Sequence, residues 1–500
     1  MPVRTMPRRH SRPVPKRNGL SRVHQGVLGV AAALGRVGAL ACLLPLLAQC
    51  GGSDDSSSGN VGSGEDDDVV DQIGAWASSL PEPSVTFCVR PPGETYGAGD
   101  GSSWSDAFAG LPEQRVRGAR YYFAAGEYHV PDTGQVETYV LDDPDEGDQM
   151  IELVKATEEN HGEDDGWESS FGDGAVELGP LSFVTGYYVI DGRQGADTTG
   201  YGIAIRHRDC ELRATDFIAS PIFFPWNSTT THLLVSQVEI EDCGDQGDQS
   251  IRSQDAIYAV NPVSHFTLRD SYVHDAWRNL FFLQDAFDVR IENVAFVRAG
   301  THHESNTIAL RNTRNVLIRS NTMIDSINNY ISLQTVRNVT ITANVFARSP
   351  EGWDDWAGIF SQEPAVNVLI AGNTFHALAG LNTGIRFTAE TTNLRVVNNL
   401  WTSNRTNQIM LNGEHSSNAF WDNLRVDGDE PVSLDDRIEE ESAQILEEDP
   451  FLDAADLDLH LAVPTAPGEV LDDPFVNVDR DGNERGTDGV WDRGAYEYAE

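Results

Sequence analysis

VLIRSNTM, residues 316–323, is the stretch whose reading decides the fold. Val316 and Ile318 stand two positions apart, a turn residue (Asn321) follows, and a large apolar residue (Met323) closes the pattern. VTITANVF (339–346), VLIAGNTF (368–375) and LRVVNNLW (394–401) repeat it. Weaker copies precede them at Leu233/Val235/Val238/Ile240, Phe266/Leu268/Ser271/Val273 and Val289/Ile291/Val294/Phe296. Successive copies begin 33, 23, 27, 23, 29 and 26 residues apart. Periods of 20–50 residues signal solenoids, propellers or arrays. Two apolar residues at a spacing of two share one face of a strand. A helical repeat would instead need three- and four-residue spacings, which these stretches lack. Asparagine is poor inside strands and tolerates left-handed backbone at a bend. Asn321, Asn344, Asn373 and Asn399 are therefore expected to stack as an amide column. Ordinary Asn-containing turns are the plainer reading.

Each coil carries a further strand upstream. Ile257, Phe281, Ile308, Ile331, Ile359, Ile385 and Ile409 head it, and Ala259, Leu283, Leu310, Leu333, Phe387 and Leu411 lie two residues on. Tyr188/Ile190 and Cys210/Leu212/Thr215/Phe217 read as two earlier units. About nine coils at ~4.8 Å each make a rod of roughly 43 Å. Five hundred residues would ordinarily suggest several domains, but a solenoid grows along one axis and needs only end caps.

Residues 1–49 carry eight Lys/Arg and no acid, then the apolar run Val37–Ala48. That is the pattern of a secretory signal with a long basic region. Leu47-Ala48-Gln49-Cys50 resembles a bacterial lipobox, which implies acylation of Cys50 and, with Gly51 next, an outer-membrane or cell-surface location. Simple secretion is the alternative. Without residues 1–49 the chain keeps 27 Lys/Arg against 78 Asp/Glu, a net charge of −51. Such a surface repels nucleic acid and anionic lipid, so no nucleic-acid partner is expected. One lysine, Lys155, remains. A Cys210–Cys243 disulfide and a buried thiol at Cys210 both fit an oxidising compartment. No zinc-type cysteine spacing occurs.

The segments read as signal (1–49), tether and linker (50–85), N-terminal cap with first irregular coils (86–185), parallel β-helix coils (186–425) and C-terminal cap (426–500). The glycine-rich opening Gly97–Leu111 reads as a loop leading into a short capping helix. That opening, the coils and the closing Asp481-Gly482-Asn483…Arg493-Gly494-Ala495-Tyr496-Glu497-Tyr498 resemble the right-handed parallel β-helix repeat family of bacterial surface proteins, which share the pectate-lyase fold. The resemblance implies an all-β, right-handed, single-stranded parallel β-helix.

Chemistry is expected in the loops before successive strands. His274, Asp275 and Arg278 lie in one coil, His302, His303 and Glu304 in the next, then Asn328 and Asn329. A histidine, a carboxylate and an arginine on adjacent rungs could supply a base, an acid and a charge stabiliser for lyase or hydrolase chemistry. Solenoid loops are polar in any case, and such residues often cap turns. Trp353 and Trp356 flank Asp354 and Asp355 in a wide loop, where indoles could stack on sugar faces; Trp226 and Trp277 occupy other loops. Shielding of the solenoid flank is the alternative. Asn-Thr-Asp and Arg-Ile-Lys, the motifs of polygalacturonases, are missing. Asp479, Asp481 and Asn483 mimic the start of a calcium loop, yet Val490 stands where the closing glutamate belongs, so a terminal cap is expected. Calcium remains the candidate ion, from the carboxylate excess and from the resemblance to pectate lyases, which implies an arginine, Arg278 or Arg311, beside calcium held near Asp275 and Glu304. The expected function is binding, and cleavage by a lyase or glycoside hydrolase route, of a polysaccharide or cell-surface glycan. The alternative is a non-catalytic adhesin or envelope spacer.

Overall fold

In the computed structural model the repeats lie on one another in parallel register. The structure describes residues 73–499 apart from 129–137, 145–146, 194–199, 208–219, 227, 229, 245–254, 301–304, 350–356, 379–382, 390, 404–413, 422–423, 426–427 and 432–441. Val289, Val316, Val339, Val368 and Leu394 are successive partners in one sheet. Phe296, Met323, Phe346, Phe375 and Trp401 align in a second. Ile257, Phe281, Ile308, Ile331, Ile359 and Ile385 align in a third. One coil therefore runs through three strands, for example Phe287–Glu292, Ala295–Ala299 and Asn306–Arg311. Among the described residues, stacked coils build parallel sheets of thirteen, twelve and nine strands. The chain is a right-handed single-stranded parallel β-helix, the hand that parallel crossovers favour.

Alternation sends one apolar column from each sheet into a continuous core. Identical rungs place like side chains together. The Phe346 and Phe375 rings stack at 4.6 Å and those of Phe375 and Trp401 at 3.9 Å.

The amide column exists. Nδ2 of Asn321 donates to Oδ1 of Asn344 at 2.9 Å, and Asn344, Asn373 and Asn399 each continue it to the next rung at 3.0 Å, ending on Asn418. Each Oδ1 also takes the backbone N–H of the asparagine below. These side chains are wholly buried. One element of the expectation is corrected: the left-handed residue is the one before each ladder amide, namely Ser320, Ala343, Gly372 and Asn398. The asparagine is selected for its amide, which spans one rung, and not for its backbone. Two further ladders run along other corners, Asn279–Asn306–Asn329 and Asn315–Asn338–Asn367–Asn393.

One other expectation changes. The unit read at Cys210/Leu212/Thr215/Phe217, and Ile409 with Leu411, lie outside the described residues. The first sheet begins earlier in the chain, since Val85–Arg90, Ala119–Phe123 and Ile151–Lys155 stack below Tyr188–Asp191, which pairs with Thr231–Ser236. The capping helix is a strand, Phe108–Ala109, paired on Val89 and Arg90. Buried Trp104 anchors that loop by donating to the His161 carbonyl at 3.1 Å. Cys243 is disulfide-bonded, its partner lying outside the described residues, and Cys88 is a free buried thiol whose pKa burial pushes up to about 12.

Both ends of the described chain pack on the sides of the rod. Ile73 packs with Leu317, and Ala77 with Leu234, Val189 and Met150, so this segment crosses the outer face of the first sheet. The C-terminal tail folds back over upper rungs. Phe451, Leu459, Leu461, Ala495 and Tyr496 cover Val345, Ala347, Leu400 and Ala419 on the outer face of the second sheet. Lower rungs of that face keep charged side chains in contact with solvent.

Candidate functional site

Outward positions on the lower rungs of the second sheet carry an ionised cluster. Glu239 and Glu241 flank the inward, fully buried Ile240, so both carboxylates point outward. His274 is the register partner of Glu241 one rung on. Its Nδ1 lies 2.7 Å from Asp275 Oδ2 and its Nε2 lies 3.1 Å from Glu239 Oε1. Asp275 breaks the strand alternation with a left-handed φ of 57°. That bend brings its carboxylate back beside the histidine, where Arg298 on the following rung grips both oxygens, with Nε at 2.5 Å. Tyr272 stacks on His274 at 4.2 Å, and Tyr201 stacks on Tyr272 at 6.1 Å. Arg206 binds Glu177 and stands 3.6 Å from Glu241.

The charges hold one another. Burial alone would lower the His274 pKa, but its bonds to Asp275 and Glu239 outweigh burial and raise it. Burial would raise Asp275, yet Arg298 and His274 bring it down to about 2. The bond from His274 lowers Glu239. Glu239 and Asp275 are thus ionised acceptors near neutrality, and neither is poised as a carboxylic acid for leaving-group protonation. Glu239, Glu241 and His274 each offer a ligand atom, and these atoms lie within 4.8 Å of one another.

Of the residues expected to act together, the structure joins His274 and Asp275. Arg278 goes elsewhere: Nε and Nη2 bind the wholly buried Asp255 at 2.9 and 2.5 Å. Asp255 also accepts from the Asn279 backbone N–H and Nδ2, so the pair anchors the foot of an asparagine ladder. Asn329 belongs to the same ladder. Arg311, another candidate, donates to Gln334 at 2.8 Å in the third sheet. His302, His303, Glu304, Trp353, Asp354, Asp355, Trp356 and Cys50 lie outside the described residues. Trp226 is 76% exposed. The Asp479 carboxylate turns inward onto the N–H groups of Asp481, Asn483 and Glu497, which makes that loop a cap. Glu239, Glu241, Tyr272 and Arg298 were missed, although the 33-residue step between copies superposes Glu241 on His274.

Residues 225–428 match a family model described as "Periplasmic copper-binding protein (NosD)". The chain is similar to that family over this segment, which is less than half of its length. Among solved structures it is similar to pectate lyase Pel9A, with 12% identity, TM-score 0.43, and 68% of this chain and 81% of that one covered. The polygalacturonase of Erwinia carotovora ssp. carotovora matches at 9% identity and TM-score 0.33, covering 74% and 95%. The tailspike of E. coli bacteriophage HK620 in complex with a pentasaccharide matches at 11% identity and TM-score 0.35, covering 76% and 73%. No curated protein matches the chain.

Proposed function

We propose that this is an exported β-helix protein that binds polysaccharide on the lower outer face of its second sheet. The observation that carries this reading is the convergence there of ring faces and fixed charges. Tyr201 and Tyr272 offer rings to stack on sugars, while Glu239, Asp275, His274 and Arg298 offer acceptors and donors for hydroxyls. A net charge of −43 favours a neutral polymer, or an acidic one bridged by cations. With Glu239 and Asp275 both ionised, binding is the better-supported activity, and cleavage is an outcome to be scored. The signal-like residues 1–49 and the lipobox-like Cys50 support export and lipid anchoring at the outer membrane, and the family description supports export.

The test is a panel of neutral and acidic polysaccharides against the mature chain, with and without calcium. Binding is read by affinity electrophoresis, and cleavage by unsaturated products and reducing ends. A bound polymer, with binding lost in Tyr272→Ala, is expected. Failure on every polymer would leave the adhesin or spacer role. Palmitate labelling that survives Cys50→Ser would remove the lipid anchor.

A metal-handling reading stands beside this one, favoured by the three clustered donors within the segment that matches the copper-binding description. One imidazole and two carboxylates fit copper(II) in donor chemistry, whereas copper(I) prefers sulfur. Calcium, the ion expected from the carboxylate excess, takes oxygen ligands and gains nothing from His274.

A further inference from the structure

We infer that Glu239, Glu241 and His274 bind one divalent first-row transition ion, with Asp275 as the positioning residue that aims the imidazole. This rests on the metal-handling reading and adds to it the ligands, the aiming residue and the class of ion.

Three observations converge. Among the described residues this is the one group of three histidine, cysteine or acidic side chains whose donor atoms all lie within 4.8 Å. By contrast, His460 meets Asp458 and Asp481 with its two nitrogens on opposite sides, so no common point exists for an ion. The donors also sit on a rigid base. Glu239 and Glu241 share one strand, and His274 occupies the hydrogen-bonded strand next to it. Finally, the imidazole is already aimed. Asp275 holds Nδ1 at 2.7 Å, which leaves Nε2 facing Glu239. Metal-binding histidines almost always give their second ring nitrogen to a carboxylate, a backbone carbonyl or water, which fixes the tautomer and ring direction. Arg298 in turn fixes Asp275. That support is two residues deep on a surface where an ordinary turn histidine would need none.

The donor set selects the ion. No thiolate or thioether is in the group, which disfavours copper(I), and an imidazole ligand disfavours calcium and magnesium. Copper(II), zinc and nickel remain, with copper(II) the tightest by the general order of divalent affinities. Arg206, 3.6 Å from Glu241 and bonded to Glu177, can withdraw from Glu241 without losing its partner.

The experiment uses the full chain in enough salt to suppress loose binding to surface carboxylates. Cu²⁺, Zn²⁺ and Ca²⁺ are titrated calorimetrically, bound ions are counted by mass spectrometry, and the copper form is read by electron paramagnetic resonance. One tight Cu²⁺ or Zn²⁺ per chain is expected, with a single nitrogen coupled to copper and no comparable calcium binding. His274→Gln and Glu241→Gln should each weaken binding about 100-fold or more, with circular dichroism unchanged. Asp275→Asn should weaken it roughly 10- to 100-fold while keeping the one-nitrogen signal. Wild-type affinity in His274→Gln would overturn the site while leaving the metal-handling reading intact. No ion bound by the unaltered chain would overturn both. Calcium binding as tight as zinc would overturn the class of ion, and wild-type affinity in Asp275→Asn would overturn the aiming role.

Discussion

Between Asn321 and Asn418 the bend from the first sheet to the second is filled at every rung by the same buried amide. Between Val238 and Val294 the same position holds valine, serine and valine, and a lone hydroxyl, Ser271, does what the amide does above. The upper rungs are roofed by the C-terminal tail, whereas the lower ones present His274, Glu239, Glu241 and Arg298. An amide chain propagates only while consecutive rungs are alike, since each link both gives and receives. Where it stops, nothing compels successive rungs to agree, and their outward faces are free to differ. The uniform half is scaffold, and the irregular half carries the clustered outward charges.

The strongest way to break this contrast is Asn344→Ala. The side chain is fully buried, accepts from Asn321 N and Nδ2, and donates to Ile318 O and Asn373 Oδ1. Its loss strands several of those groups at about 1–3 kcal/mol each, so a loss of about 4 kcal/mol is expected after partial relaxation. Urea unfolding followed by tryptophan fluorescence measures it. A loss under about 1 kcal/mol would mean that water replaces the amide and that the ladder is not what holds the upper half.

These two halves were unequally legible. Asn321, Asn344, Asn373 and Asn399 stood at one offset from their apolar pairs, and a constant offset survives variable loop lengths. Glu239 and Glu241 lay in the weakest copy, behind a 33-residue step, so their alignment with His274 needed a register that only the pairing supplies. Arg278 exposes a different limit. Its sequence neighbours His274 and Asp275 suggested a shared task, but the partner that claims it is Asp255, 23 residues earlier and beneath it on the preceding rung. A polar loop residue in a solenoid answers to the rung below as much as to its neighbours in sequence. The N-terminal rungs were hard to read for a related reason, since acidic segments separate Ala119–Phe123, Ile151–Lys155 and Tyr188–Asp191.

Acid should separate the halves. His415 is the register partner of Val396, at a core position held by isoleucine or valine on the rungs below. Burial lowers its pKa to about 4. The folded state therefore favours the neutral ring. Its contribution is complete above the unfolded pKa near 6.5 and is lost as pH falls toward 4, about 2 kcal/mol between pH 7 and pH 5. Burial likewise depresses His376 in the upper half. His274 has the opposite sign: its raised pKa adds stability on protonation, which is lost as pH rises through the folded value. Hydrogen exchange at pH 5 should show the upper rungs opening before the strand Tyr272–Ala276. His415→Val should remove most of that difference, and an unchanged pH dependence in this variant would assign acid sensitivity to other groups.

The smallest effect is the most discriminating. Ser271 is fully buried, accepts the Val238 N–H at 3.2 Å and donates to the Arg269 carbonyl at 2.6 Å. Ser271→Ala leaves one N–H without its acceptor and creates almost no cavity, so about 1 kcal/mol should be lost. That is far below the value for Asn344→Ala, because no chain of amides passes through the serine and its removal touches one rung. If the two substitutions cost the same, the additional bonds of the amide contribute nothing beyond what one hydroxyl supplies. If Ser271→Ala is the milder by several-fold, those additional bonds hold the upper rungs, and the end of the column at Asn321 is where the rod gives up uniformity for an outward face that can vary.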